Sequence, residues 1–458
     1  METALSSTRA IPVHPGLPVV GNTLSYLRDP LAFLRGLQQQ YGSERMVRIS
    51  VGGRLTTLML KPEETKQVLQ ENNRNYGRGK SFAILREFLG NGLLTSDGDF
   101  WRRQRRLAQP AFHRQKLILL AETMISEAVA WAERLETMDR QKPVNISAAT
   151  TDVTLRIVTK TLFGSDLGSR SSDLGRALSH LNHVANNAVI NPFRLPKWVP
   201  TPDNRAFEKA RREVDQLIFS IIETRQRTGE SHDDLLDMLL RATDDETGEG
   251  MSDAQLRDEM VTLFTAGQET TATSMAWTLY LLAQHPDVLA RVKAEISTTL
   301  GPRDRPSADD LRAMPFLSQV INESLRLYPP AWVMSRLSLG PDRFGEYMID
   351  ANQGVLLSPY VLHHDPATWP KPDQFNPDRF APELMKDKSD RERHPYSFIP
   401  FGGGPRLCIG NQFALMEMQA LLTVLLHRFD LQSVPGLHIK PQPLITLRPK
   451  QAVRVFLR

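Results

Sequence analysis

A mainly α-helical fold with small antiparallel β-sheets is predicted by three features of this sequence. Apolar residues recur at helical spacing between positions 117 and 240, with few strand signals. A second long helix is predicted from Ser252, which forms a capping box with Gln255, to about Gln284, where Pro286 follows. Strand signals are short: positions 47–51 and 55–60 flank Gly52 and Gly53 as a hairpin, and positions 444–447 and 453–457 form a second hairpin at the C-terminus.

Composition is that of an ordinary globular protein. The chain has 458 residues, of which 41% are hydrophobic and 24% charged, enough to bury a large core. Length alone would suggest about three domains, but no linker divides the sequence, so one domain over residues 1–458 is predicted. The formal net charge of +4 comes without a basic–aromatic stripe or a nucleic-acid motif, and nucleic acid is not an expected partner.

The single cysteine excludes an intrachain disulfide and fits a reducing, cytoplasmic location. The first ten residues are polar, and the apolar stretch that follows is broken by Pro12, Pro15 and Pro18. Neither a signal-peptide core nor a run of about 18 apolar residues is found there. We therefore expect a soluble monomer without a membrane anchor.

That cysteine, Cys408, lies in the segment FGGGPRLCIG at positions 401–410. Glycine and proline exclude a helix before it, and positions 412–427 repeat apolar residues at helical spacing after it. A tight loop leading into a helix N-terminus favours a thiolate, which suits a metal ligand. An isolated cysteine would more often be a small buried apolar residue. A phosphate-binding loop is disfavoured because no Lys-Ser/Thr follows the glycines.

The segment resembles the haem-binding loop of the cytochrome P-450 family at Phe401, Gly404, Arg406, Cys408 and Gly410. Further motifs follow in that family's order, so the resemblance spans nearly the whole chain. It implies the cytochrome P-450 fold, haem b (iron protoporphyrin IX) as cofactor, and Cys408 as the thiolate ligand of the iron.

The middle of the long helix reads Ala266-Gly267-Gln268-Glu269-Thr270-Thr271. Glycine and β-branched residues are poor choices for a helix centre. The family carries a similar signature over the distal face of its haem. There, Ala266 and Gly267 would contact the cofactor, local loosening of the helix would make room for dioxygen, and Glu269 and Thr270 would relay protons.

Other motifs imply supporting roles. Trp101 and Arg105 lie one helical turn apart and match the family's pair for a haem propionate, an anion that needs such donors; Arg336 and Arg406 are further candidates. Glu323, Arg326 and Arg379 match a buried structural triad. The alternative for the first two is a surface ion pair, which would contribute well under about 1 kcal/mol. Asp378 stands where the family has Glu.

Two basic groups are candidate docking surfaces for a redox partner, with a solvated face as the alternative for each. They are Arg102, Arg103 and Arg106 in one helix, and Lys386, Lys388, Arg391 and Arg393 before the cysteine loop. Electrons are expected from a ferredoxin or flavodoxin with its reductase. His363-His364-Asp365 lacks a matching ligand set, and we do not expect a metal there.

The implied activity is hydroxylation or epoxidation of a lipophilic small molecule with O2. Apolar positions aligned with the family's pocket are Phe82, Leu85, Phe88, Phe264, Ala331, Trp332, Val333 and Met334. The motifs as a whole resemble those of fatty-acid hydroxylases and so favour a fatty acid as substrate. Terpenoids, steroids and secondary metabolites are the alternatives. A peroxide-using or oxygen-independent enzyme of the same fold, or a non-catalytic haem protein, stays open, although Glu269-Thr270 argues against each.

Overall fold

The computed structural model describes residues 9–79, 82–164, 169–190, 195, 198–230, 232–382 and 393–458. Helices dominate, as the sequence predicts, and the sheets are small. The helices are α1 (Thr23–Arg28), α2 (Pro30–Tyr41), α3 (Pro62–Lys66), α4 (Phe82–Leu89), α5 (Gly98–Ala108), α6 (Arg114–Glu136), α7 (Ile146–Phe163), α8 (Ser169–Ile190), α9 (Pro202–Thr228), α10 (Leu235–Leu240), α11 (Asp253–Gln284), α12 (Pro286–Leu300), α13 (Ala308–Arg312), α14 (Pro315–Leu327), α15 (Pro359–His363) and α16 (Asn411–Arg428).

Strands occupy a small part of the chain. They are β1 (Met46–Val51), β2 (Arg54–Met59), β3 (Tyr76–Gly77), β4 (Val144–Asn145), β5 (Met334–Ser338), β6 (Asp342–Phe344), β7 (Tyr347–Ile349), β8 (Gly354–Leu357), β9 (Leu431–Ser433), β10 (Pro441–Pro443), β11 (Leu447–Pro449) and β12 (Arg454–Leu457). Contacts divide the chain into two compact units. The prediction of a single domain over residues 1–458 stays a prediction.

The first unit comprises Met1–Ser81 and Asn322–Cys408. Its main sheet has the strand order β1-β2-β8-β5-β3, and β6 pairs with β7. The predicted hairpin is confirmed, with Val51 opposite Arg54 across the two-glycine turn. The pair β2–β8 is parallel, so this sheet is not wholly antiparallel. Apolar side chains from these strands form a buried cluster that includes Met46, Tyr347 and Val355.

The second unit comprises Phe82–Ile321 and Ile409–Arg458 and is mainly helical. Its longest helix, α11, begins with the predicted capping box of Ser252 and Gln255 and ends at Gln284 before Pro286. Within the unit α11 packs against α7, α12 and α16, among others. Most of its residues from Thr271 to Leu282 are buried, so α11 forms the core of this unit.

The predicted C-terminal hairpin is wrong in its pairing. β10 pairs with β11, with Gln442 opposite Arg448, whereas β12 leaves this hairpin and pairs with β4 and β9. Apolar residues alone could not distinguish these alternatives, because each short strand offers a similar pattern to any partner.

Candidate functional site

Backbone hydrogen bonds close the cysteine loop in the first unit. The amide of Cys408 donates to the carbonyl of Phe401 at 3.0 Å, and the amide of Leu407 donates to Gly404 at the same distance. The loop is anchored upstream, where the amide of Gly402 donates to Ile399. Helix α16 begins three residues after the cysteine. The predicted tight loop before a helix is therefore confirmed.

Packing explains two of the loop glycines. Gly404 has φ +64°, and a Cβ there would collide with the carbonyl oxygen of Leu69. Leu69 belongs to a short π-helical segment that continues α3. A Cβ on Gly403 would lie 2.6 Å from the ring of Tyr396. The loop backbone thus lies directly against its neighbours, and side chains at these positions would displace it.

Cys408 itself is exposed. Cysteine is among the residue types most often buried in folded proteins. Because Cys408 is exposed, the alternative interpretation of it as a small core residue does not hold. An exposed cysteine at the end of a hydrogen-bonded loop fits a ligand for the iron of haem. Arg406, on the same loop, is partly buried.

A buried ion pair lies in the same unit. Nε and Nη2 of Arg326 donate to the two carboxylate oxygens of Glu323 at 2.7 and 2.8 Å, and neither side chain is exposed to solvent. Arg379 lies 3.4 Å from the same carboxylate, and the amide of Asn376 donates to it at 2.9 Å. A bidentate pair with these extra donors compensates for much of the cost of burying the charges.

His363 connects α14 with the segment before the cysteine loop. Its Nε2 accepts from the amide of Ile399 at 2.9 Å, so Nδ1 carries the proton and donates to the carbonyl of Arg326. Burial holds the pKa of His363 well below its ordinary value, and it lowers the pKa of His364 to about 3. Both rings are neutral structural groups. In the described residues no cluster of three or more His, Cys, Asp or Glu side chains fits a metal ion.

The middle of α11 is open on one side. Ala266 is exposed and Gly267 and Thr270 are partly exposed, although the following residues are buried. The hydroxyl of Thr270 donates to the carbonyl of Ala266 at 2.6 Å. The helix runs through this segment unbroken, so the local loosening implied by the resemblance is not seen here. The opening comes from small side chains.

Glu269 lies in a polar network that the sequence did not reveal. Its Oε1 accepts from Oγ1 of Thr446 at 2.6 Å and from Nη2 of Arg448 at 2.7 Å. The carboxylate lines a cavity of about 380 Å³, together with Gln268 and Lys450. Thr446 and Arg448 are the functional candidates that the sequence analysis missed, since 179 residues separate Arg448 from Glu269.

The candidate residues for binding the haem propionates belong to both units. Trp101 is buried on α5 of the second unit, one turn before the partly buried Arg105, whose Nε donates to Gln109. Arg336 is 5% exposed on β5 of the first unit. These donors fit the anionic edge of haem by their chemistry.

The proposed basic face on α5 is partly neutralised. Each arginine has an acidic partner within the second unit: Arg102 with Asp99, Arg103 with Glu249, and Arg106 with Asp244 and Glu246. These acidic residues therefore compensate part of the positive charge, and the docking surface on α5 stays a prediction.

The second basic group is only partly described. Lys386, Lys388 and Arg391 lie outside the described residues. The guanidinium of Arg393 packs 4.6 Å from the centre of the Trp369 ring and donates to the carbonyl of Arg379 at 2.6 Å. Arg393 therefore stabilises the segment, and a docking role for this basic group stays a prediction.

The candidate substrate positions differ in exposure. In the second unit Phe264 and Phe88 are buried, whereas Phe82 and Leu85 are partly exposed. In the first unit Ala331 is exposed, Trp332 is buried, and Val333 and Met334 are partly exposed. Full burial of Phe264 indicates a role in the core, because no part of its surface is open to a ligand in this structure.

Among the residues that the structure describes, no helix combines the length and apolar character needed to cross a lipid bilayer.

The chain is similar to known proteins over nearly its full length. The sequence profile described as cytochrome P-450 matches residues 11–454. Cyclooctatin synthase of Streptomyces melanosporofaciens is 36% identical over 94% of this chain and 92% of its own length. Cyclooctat-9-en-7-ol 5-monooxygenase of the same organism is 34% identical over 92% of this chain and 90% of its own length.

Two solved structures share the fold. The haem domain of cytochrome P-450DA has a TM-score of 0.88 and 28% identity, covering 99% of this chain and 98% of that one. The retinoic acid-bound cyanobacterial CYP120A1 has a TM-score of 0.85 and 27% identity, covering 99% of both chains. This chain therefore belongs to the cytochrome P-450 family, whose members are haem-thiolate monooxygenases.

Proposed function

We propose that this enzyme inserts oxygen into a lipophilic cyclic substrate of the terpenoid class, with Cys408 as the ligand of its haem iron. The observation that carries the proposal is the exposed Cys408 at the end of a loop fixed by backbone hydrogen bonds. When bound, haem b supplies the activation of O2. The protein supplies the thiolate, protons, positioning and exclusion of water.

The proposed roles follow the chemistry of each group. Trp101, Arg105, Arg336 and Arg406 hold the propionates through N–H donors. The Thr270 hydroxyl passes a proton from the open side of α11, beside the small residues Ala266 and Gly267. Glu269 replenishes it, since its carboxylate borders a polar cavity that water can enter. Arg448 orients that carboxylate.

The substrate class rests on the relatives and on the apolar candidates. One relative acts, by its name, on cyclooctat-9-en-7-ol, an unsaturated cyclic alcohol. Phe82, Leu85, Val333 and Met334 offer partly exposed apolar surface that suits such a molecule. A fatty acid, favoured by the style of the motifs alone, is the alternative substrate.

Electrons come from separate proteins in this proposal, a ferredoxin or flavodoxin with its reductase. Surrogate pairs of both kinds therefore serve to test turnover. Product formation with either pair would support a monooxygenase that uses O2, whereas turnover only with added peroxide would contradict this part of the proposal.

The substrate class is tested by titrating the purified holoenzyme with terpenoid alcohols, fatty acids and steroids while recording the haem Soret band. We expect a shift from low to high spin with the cyclic terpenoids. A shift with fatty acids alone would contradict the proposed class.

The ligand assignment is tested by Cys408→Ser. We expect loss of the thiolate-type spectrum of the reduced carbonyl complex, because an alcohol oxygen does not replace the sulfur as donor. Leu407→Ala, an exposed neighbour on the same loop, is the matched control and should keep that spectrum. An unchanged carbonyl spectrum in Cys408→Ser would overturn the assignment.

A further inference from the structure

Three successive side chains near the start of α11 bind the backbone at the end of α4 and directly after it. The contacts are Nη1 of Arg257 to the carbonyl of Phe88 at 3.2 Å, the amide of Asn91 to Oδ2 of Asp258 at 2.7 Å, and the amide of Leu93 to Oε2 of Glu259 at 3.1 Å. All of these residues belong to the second unit. We call Arg257, Asp258 and Glu259 the α11 clamp.

Arg257 extends the clamp to α9. Arg257 is 7% exposed, and its Nε donates to Oδ1 of Asp215 on α9 at 2.7 Å. It also donates to Oδ1 of Asp258 at 3.0 Å. One buried cation thus joins α9, α11 and the end of α4, so a change in any one of these elements would leave charged groups unpaired.

Glu259 is 1% exposed. Burial, reinforced by the charge of Asp258, raises the pKa of Glu259 to about 8. The side chain is therefore mostly protonated at neutral pH. Its Oε2 accepts from the amide of Leu93, so the proton resides on Oε1. A neutral acid can be buried here at much lower cost than a carboxylate.

Two glycines in the loop after α4 allow its backbone to lie close to α11. Gly90 has φ +71°, and a Cβ there would overlap the carboxylate of Asp258. A Cβ on Gly92 would collide with the Thr262 hydroxyl, one turn further along α11. The absence of side chains at both positions lets the backbone approach α11 closely enough for the amides to reach the acids.

A cavity of about 340 Å³ borders the clamp. Its lining includes Glu87 and Gly90 from α4 and its loop, Phe219 from α9, and Arg257 and Asp258 from α11. This space gives the end of α4 room to shift once the clamp is released.

We propose that Arg257, Asp258 and Glu259 are positioning residues that fix α4, and so govern how readily the substrate leaves its pocket. The inference rests on the proposed function for one point, the assignment of Phe82 and Leu85 on α4 to the substrate pocket. The clamp does not touch the reacting groups, so its release changes substrate dissociation and selectivity and leaves the chemical step unaltered.

The test begins with Gly90→Ala, which introduces a methyl group against Asp258. Gly229→Ala is the matched control, since Gly229 has φ +65° and nothing within 4 Å of its added Cβ. Asp258→Asn is a milder second variant, because its amide keeps only one of two acceptor oxygens. The first measurement is hydrogen exchange at the Asn91 and Leu93 amides. We expect exchange about tenfold faster in Gly90→Ala and Asp258→Asn than in the control, as for loss of a hydrogen bond to a charged group.

The second measurement is the dissociation rate of a substrate that shifts the Soret band. We expect about a tenfold rise in both clamp variants, with kcat within about twofold of the control. Unchanged amide exchange would overturn the clamp. Faster exchange with unchanged dissociation would overturn its positioning role. A wild-type protein without a haem Soret band would instead contradict the proposed function, and the amide measurement would still decide whether the clamp exists.

Discussion

At Gly404 two requirements coincide. The residue adopts φ +64°, a region that side chains disfavour, and its Cα faces the carbonyl of Leu69 too closely for a Cβ. The amide of Leu407, the residue before the exposed Cys408, donates to the carbonyl of Gly404. The position of Cys408 therefore depends on a residue without a side chain.

Gly404→Ala should lower the free energy of unfolding by more than about 2 kcal/mol, because strain and collision act together. Haem occupancy, measured by the ratio of Soret to protein absorbance, should fall with it. Gly52→Ala is the control, since it has φ +61° and open space around the added Cβ; about 1 kcal/mol is expected there. Equal losses in the two variants would show that the Leu69 contact is unimportant.

Among the elements, α14 connects the ion pair with the cysteine loop. Arg326 is held by Glu323 and also donates to the carbonyls of His363 and Pro372 at 2.8 Å. His363 in turn accepts from the amide of Ile399 before the loop. One turn of helix therefore orients two segments that are distant in sequence, and the charge on Arg326 requires Glu323 to balance it.

Glu323→Gln should destabilise the protein by about 3 kcal/mol or more, because it leaves the buried cation of Arg326 without its counterion. Asp309→Asn breaks an exposed i,i+3 pair with Arg312 and should change stability by less than about 0.5 kcal/mol. Urea denaturation of the holoenzyme measures both. A loss in Glu323→Gln no larger than in Asp309→Asn would contradict a structural role for the pair.

At the scale of the whole molecule, the described residues include two buried acids and two buried histidines whose pKa values are shifted in opposite directions. Burial raises the pKa of Glu259 to about 8 and that of Glu417 well above its ordinary 4.5. It lowers the pKa of His364 to about 3 and that of His363 well below 6.5. The folded state thus keeps two acids protonated and two imidazoles neutral.

These opposite shifts predict a plateau in the free energy of unfolding as a function of pH. From pH 6.5 to about 8, the two acids are deprotonated in the unfolded state and still protonated in the folded state. Stability therefore falls as pH rises, by up to about 1.4 kcal/mol per pH unit for each acid. Below pH 4.5, only the unfolded state protonates the two histidines, so stability falls as pH falls, toward pH 3 for His364. Between pH 4.5 and 6.5 the two effects oppose each other, and these four groups contribute little slope.

Urea denaturation across this range tests the profile. Glu259→Gln should remove one acid from the alkaline side and make that slope shallower, while the acid side stays unchanged. An alkaline slope identical to that of the wild type would contradict burial of a protonated Glu259.

The sequence alone determined the helices and the ligand loop. Residues within one or two turns fix the start and end of α11, through the capping box of Ser252 and Gln255 and through Pro286. Periodicity, caps and breakers are local signals, so a single sequence contains them. The resemblance supplied the family in the same way, from motifs that are continuous in sequence.

Only the tertiary structure decided which distant groups meet. Arg448 reaches Glu269, and Asp258 reaches Asn91 across 167 positions. The strand β12 pairs with β4 and β9 and not with the neighbouring hairpin. Arg103 and Arg106 of α5 form ion pairs with Glu249 and Asp244, which are distant in sequence. These pairings depend on how helices and strands pack. The residues next to a charged side chain or a glycine in the sequence do not indicate which distant residue will contact it.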